Sequence, residues 1–108
     1  MGKNKNSVRK IQGFQKNKKT GHVSYAFWQK GINVKSLGFT HSDKKGYESK
    51  TLLTHNINPF DNRDCYVKND IENYKYTNYK SSDKYKNYRI HPEDRKTIFD
   101  LMFKNKKR

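Results

Sequence analysis

From His22 to Lys30, Val23, Tyr25 and Phe27 alternate with Ser24, Ala26 and Trp28. A period of two rich in aromatic and β-branched residues predicts a strand. A second strand is expected over Asn33 to Thr40. Gly31-Ile32 between them suits a two-residue type II′ loop, with glycine at the first central position, where φ is positive. That loop pairs Lys30 with Asn33, and counting outward sets Tyr25 opposite Gly38 and His22 opposite His41. A slip to a Lys30-Gly31 loop would instead set His22 opposite Phe39.

Beyond a polar loop from Ser42 to Ser49, the pattern predicts a third strand over about Lys50 to His55, where Leu52 and Leu53 lie among threonines. Asn58-Pro59-Phe60-Asp61-Asn62 is dense in turn residues, and Cys65-Tyr66-Val67 returns as a fourth short strand. Tyr74, Tyr76, Tyr79, Tyr85 and Tyr88 keep neither helical nor strand spacing throughout, so residues 69 to 89 read as a long loop with one short strand near Tyr74 to Tyr79. The last element is a helix. Pro92 fits its first position, Glu93 and Asp94 its first turn, and lysines follow its end. Ile98, Leu101 and Met102 share one face, with Phe99 and Phe103 beside them, and that face needs a sheet to cover it.

The expected fold is therefore α+β: a small twisted antiparallel sheet of three to five strands, curling toward a barrel, with one C-terminal helix. The domain is expected over residues 21 to 104, with a basic flexible arm at 1 to 20 and a basic tail at 105 to 108. Within the arm, Val8, Ile11 and Phe14 recur every third residue, so a short helix formed on contact with a partner is the alternative to an unstructured segment.

Charge changes the picture more than composition does. The chain of 108 residues carries a net charge of +15, yet residues 21 to 103 contribute a surplus of only +4. Lys3, Lys5, Arg9, Lys10, Lys16, Lys18 and Lys19 precede them with no acid, and Lys104, Lys106, Lys107 and Arg108 follow. Self-repelling ends of this kind are suited to polyanions, and each cation that neutralises a phosphate releases a condensed counterion. Lys, Asn, Tyr, Ile and Phe supply 52 of 108 residues, and an AT-biased genome accounts for part of that lysine content. Such bias would scatter lysines evenly and would not strip every acid from the first twenty positions.

RNA or single-stranded nucleic acid is the expected partner. Such ligands stack bases on aromatic rings while Lys and Arg follow the backbone. Tyr74, Tyr76, Tyr79, Lys80, Lys84, Tyr85, Lys86 and Arg89 provide that mixture, supported by Lys35, Lys44 and Lys45. A second expectation is metal-independent RNA cleavage by a toxin-like endoribonuclease. Imidazole, with a pKa near 6.5, can both take a 2′-hydroxyl proton and protonate a leaving oxygen. His22 and His41 facing across the hairpin would form the pair, with Arg63 or Lys35 stabilising charge on phosphorus. A third is a phage or mobile-element protein that docks on a nucleic-acid enzyme. A ribonucleoprotein component or an antitoxin is then a further protein partner.

Other chemistry is not encoded in recognisable form. Cys65 is the single cysteine, so no intramolecular disulfide can form and a reducing compartment is expected. His55 and Cys65 have no matching second pair for zinc, the Asn58–Asp64 turn lacks calcium-loop spacing, and phosphate loops and nucleophile elbows are absent. No metal or cofactor is expected. No apolar run approaches membrane-spanning length, so a cytoplasmic location without a membrane partner is the expectation.

The set Gly21-His22, Tyr25, Gly38-Phe39-Thr40-His41-Ser42, Asn58-Pro59, Asp61, Arg63 and Tyr66-Val67 resembles small basic proteins of Gram-positive bacteria and their mobile elements. Those proteins bring no assigned activity. The resemblance implies that His22, His41, Asn58 and Arg63 share one surface. Small β-rich endoribonuclease toxins are similar in size and charge, although their sequence patterns are absent here.

Overall fold

The structure is a computed structural model that describes residues 8–42 and 49–103. Its centre is the β2 (Val23–Lys30) and β3 (Asn33–Thr40) hairpin, closed by Gly31 at φ 59° and paired from Lys30 to Asn33 as the turn chemistry requires. Farther along, a bulge at Phe27 separates the Trp28–Lys35 pair from the Ala26–Ser36 pair. The extra residue shifts the remaining ladder by one, so that Ser24 opposes Gly38 and Tyr25 opposes Leu37. Continued in this register, residue 22 falls opposite residue 40. The expected facing of His22 and His41 is displaced by that bulge.

β1 (Gly13–Asn17) pairs antiparallel with β2, so the segment expected to be an arm contributes a strand. Burial explains the difference. Ile11 is buried in one cluster, while the Phe14 ring packs at 5.0 Å from Tyr25 and 6.0 Å from Phe39 in another. On the other side of β3, β5 (Tyr66–Lys68) and β6 (Glu72–Lys75) pair with its two halves, and β4 (Lys50–Leu52) pairs with β5. β7 (Tyr79–Lys80) crosses to the far edge and pairs with β1. Seven strands thus form one open sheet ordered β4-β5-β3-β2-β1-β7, with β6 beside β3. Because a single 3-10 turn, Tyr76–Asn78, joins β6 to β7, the chain bends the sheet over one of its faces.

That enclosed face holds Ile11, Ala26, Val34 and Tyr79 around polar side chains. One Glu72 oxygen accepts from Ser24 Oγ (2.7 Å), Ser36 Oγ (3.1 Å) and Asn17 Nδ2 (3.2 Å). The opposite face carries the main core, where Leu37, Phe39 and Val67 meet Ile98 and Met102 of helix α1 (Arg95–Phe103). The expected apolar stripe is therefore covered by the sheet, while Phe99 and Phe103 stay exposed at its margin. Among the described residues no helix is long and apolar enough to cross a membrane.

Candidate functional site

At the β1–β7 edge, Lys16 sits directly opposite Lys80. Cross-strand partners have Cβ atoms within about 4.5–5.5 Å, and like charges placed there destabilise a sheet. Both lysines are exposed and neither has an anionic partner among the described residues. Lys18 and Lys19 follow in the β1–β2 turn, also exposed, with the Lys18 N–H held by Asn78 O at 2.7 Å. Arg9 reaches the same edge, donating to Tyr79 O at 3.0 Å with its guanidinium 5.8 Å from the Tyr76 ring centroid. From Lys80 the chain continues through exposed Lys84, Lys86 and Arg89, interrupted by one acid, Asp83.

The tyrosines expected as stacking rings serve mainly as core. Tyr79 is fully buried, with its hydroxyl 2.8 Å from Ser36 Oγ. Tyr74 and Tyr76 pack on the enclosed cluster, and Tyr88 packs on the main core with Tyr85 at 4.9 Å. An aromatic body with a polar tip stabilises a small, lean fold in this way. Among the described residues the exposed apolar rings, besides Phe99 and Phe103 at the helix margin, are two that the sequence reading did not single out. Phe60 is 81% exposed in the turn after Pro59, and Trp28 is 41% exposed with Lys35 Nζ 4.8 Å from its centroid. Lys10 is exposed next to Arg9, whereas Lys3, Lys5, Lys44 and Lys45 lie outside the described residues.

Arg89 borders an apolar groove beside the helix and two depressions that adjoin the Pro59 turn. One, of about 370 Å³, lies between Phe60, Lys86 and Tyr88. The other is a polar cleft of about 330 Å³ whose walls include His55, Asn58, Asp61, Arg63 and His91. Arg63 is fastened within its own turn, with Nη2 2.6 Å and Nε 3.0 Å from the Asp61 carboxylate. That hydrogen bond holds the Asp61 carboxyl well below the usual carboxylate range. His41 stands at the border, with Nε2 3.6 Å from Asp61 and 3.2 Å from Asn56 Nδ2. His41, Asn58 and Arg63 are thus neighbours around this turn, and His22 is not among the residues that line the cleft. His22 is exposed at the start of β2, where its backbone carbonyl accepts from Asn17.

Two other histidines meet in the cleft. The His55 and His91 rings stack with centroids 3.6 Å apart at 21°. Local structure dictates the meeting. His91 is the N-cap residue of a 3-10 turn, Pro92–Asp94, that leads into α1, and its Nδ1 accepts the Glu93 N–H at 3.1 Å. Buried Asp94 accepts the N–H groups of Thr54 and His55 at 2.8 and 3.0 Å, which ties the loop after β4 to the start of the helix. His55 Nε2 then lies 2.8 Å from Glu93 Oε1.

These contacts set the tautomers. An ionised carboxylate only accepts, so His55 Nε2 carries the proton and Nδ1 of the neutral ring keeps its lone pair. His91 Nδ1 accepts, so its Nε2 carries the proton. One ligand atom from each of His55, His91 and Glu93 lies within 4.8 Å of the others, close enough in distance alone for a shared metal ion. A metal-bound imidazole, however, donates its remaining ring N–H. The capping role of His91 Nδ1 opposes that arrangement, and the stacked rings do not converge as tetrahedral ligands would. The cleft is better fitted to proton transfer and anion contact. Cys65 adds no nucleophile, since it is buried and desolvation pushes its thiol up.

Comparison with protein-family models, curated proteins and solved structures gives no match.

Proposed function

We propose that the protein binds single-stranded nucleic acid, RNA foremost, along a stripe from the β1–β7 edge to the cleft at Arg89. The observation that carries this reading is the directly opposed pair Lys16 and Lys80. An unrelieved like-charge pair costs stability in the free protein, and a bridging phosphate turns that cost into attraction. Arg9, Lys18, Lys84, Lys86 and Arg89 extend the cationic surface on either side. Phe60 supplies an exposed ring on which a base stacks, at about 1–3 kcal/mol. The turn that carries Phe60 is pinned by Arg63 on Asp61, so the ring is presented from a fixed frame.

Binding of a fluorescently labelled oligouridine, measured across a series of salt concentrations, tests the proposal. The affinity should fall steeply with salt, and each phosphate contact removed by substitution should lower the slope by about 0.7. Salt-independent binding, or none, contradicts it. Phe60→Ala should weaken binding without altering the slope.

A further inference from the structure

We infer that the cleft cleaves RNA without a metal ion, with His55 as the general base and Glu93 as its positioning residue. The inference rests on the binding proposal, because the cleft lies at the end of the cationic stripe. It differs from the His22–His41 pairing expected from the sequence, which the Phe27 bulge displaces.

The hydrogen bonds around the two stacked rings carry the argument. The Glu93 carboxylate at 2.8 Å fixes His55 with Nε2 protonated, which leaves Nδ1 as an acceptor on a ring that forms part of the cleft wall. The cap of the 3-10 turn fixes His91 the other way, as a donor at Nε2. One ring is thus set to take a proton and its stacked neighbour to donate a hydrogen bond. Arg89 supplies a guanidinium with no acceptor among the described residues, and it borders both this cleft and the depression beside Phe60. A base stacked on Phe60 brings its phosphate toward Arg89 and the imidazoles.

RNA is the substrate class that such a site needs, since RNA carries its own nucleophile. The cleft offers no reactive thiol, and a ribose hydroxyl removes the need for one. His55 Nδ1 takes the proton of a 2′-hydroxyl as that oxygen attacks the adjacent phosphorus. His91 Nε2–H and Arg89 hold the non-bridging oxygens, whose charge rises in the transition state. The bond from phosphorus to the 5′ oxygen breaks, giving a 2′,3′-cyclic phosphate. Water protonates the departing 5′ oxygen, and the hydroxide left behind takes the proton from His55, which restores the site.

The test is a denaturing gel of end-labelled oligouridine incubated with the full chain in EDTA, beside a native gel of the same mixtures. A DNA strand with a single ribonucleotide and an all-DNA strand complete the set. Wild type should cut RNA to products ending in 2′,3′-cyclic phosphate, cut the mixed strand at its ribonucleotide alone and leave DNA intact. His55→Ala should lower the rate about 10²–10⁴-fold while its native-gel shift persists. His55 is exposed on the loop after β4, and an unchanged melting temperature checks that the variant folds. Glu93→Gln should lower kcat with KM unchanged, as a residue acting through His55 would. Cleavage that requires an added divalent cation overturns the inference, as does a His55→Ala variant as active as wild type. Intact RNA with a retained shift refutes cleavage and leaves binding standing. Intact RNA with no shift refutes both.

Discussion

The carboxylate of Asp94, at the start of the helix, accepts the backbone N–H of His55 at 3.0 Å across 39 residues of chain. The same side chain takes the N–H of Thr54 at 2.8 Å and is 3% exposed. One buried acid therefore fixes where the His55 loop meets the His91 cap. Asp94→Ala should cost about 1–3 kcal/mol, because two part-buried backbone donors lose their shared acceptor. It should also separate the imidazoles, seen as loss of nuclear Overhauser contacts between the two rings, while the β2–β3 ladder persists.

Tyr79 supports a prediction in alkali. Burial pushes its phenol up to about 12, against an ordinary 10.0. Its folded-state value is raised, so its contribution is complete below pH 10 and is lost as pH rises through about 12. Chemical denaturation of wild type should show stability falling across that window. Tyr79→Phe should be less stable at neutral pH, by about 1 kcal/mol for the lost Ser36 bond, and should flatten the alkaline decline.

Gly38 is tightly enclosed. A Cβ at this position would lie 2.5 Å from Glu72 Oε2 and 3.2 Å from Lys68 Cδ. Gly38→Ala displaces the carboxylate that Ser24, Ser36 and Asn17 share, and should destabilise by about 1–3 kcal/mol, measured by urea unfolding.

Cys65 should behave as a core residue. It is 2% exposed and its thiol is pushed up by desolvation. A thiol reagent at neutral pH should label it slowly in the native protein and at once in denaturant. Rapid native labelling would mean that the segment leading into β5 opens readily.

The sequence and the fold agree where local chemistry decides. Gly31-Ile32 needs a tight loop whatever surrounds it, and the Lys30–Asn33 pair follows. Pro92, Glu93 and the stripe through Ile98 and Met102 mark the helix without reference to the sheet. The Asn58–Asp64 turn likewise closes on its own Asp61–Arg63 pair. Elements hidden in the pattern are those whose inward side chains are polar. β1 buries Gln15 and Asn17, and β6 reads Glu-Asn-Tyr-Lys, so neither shows an apolar alternation. The lysines between them further disguise β1 as a solvated arm.

The site was less legible than the fold, for a physical reason. A bulge leaves no mark in residue type, so the position opposite His22 could not be counted from the loop. His55 and His91 are 36 positions apart, and the acid that joins them, Asp94, reads as an ordinary first-turn residue. The lysines of the stripe were visible individually. The direct opposition of Lys16 and Lys80 depends on the bending of the sheet that lets the short Tyr76–Asn78 turn carry the chain from β6 to the far edge.

That opposition allows a direct test of the central claim with a single substitution, Lys80→Ala, measured twice. In the free protein at low salt, removal of the like charge should raise stability by roughly 0.2–1 kcal/mol. Against oligouridine the same change should weaken binding and lower the salt slope by about 0.7. A more stable protein that holds RNA less well is the predicted result. Unchanged affinity and slope would contradict the account, and would leave the paired lysines as a cost to the fold with no ligand to offset it.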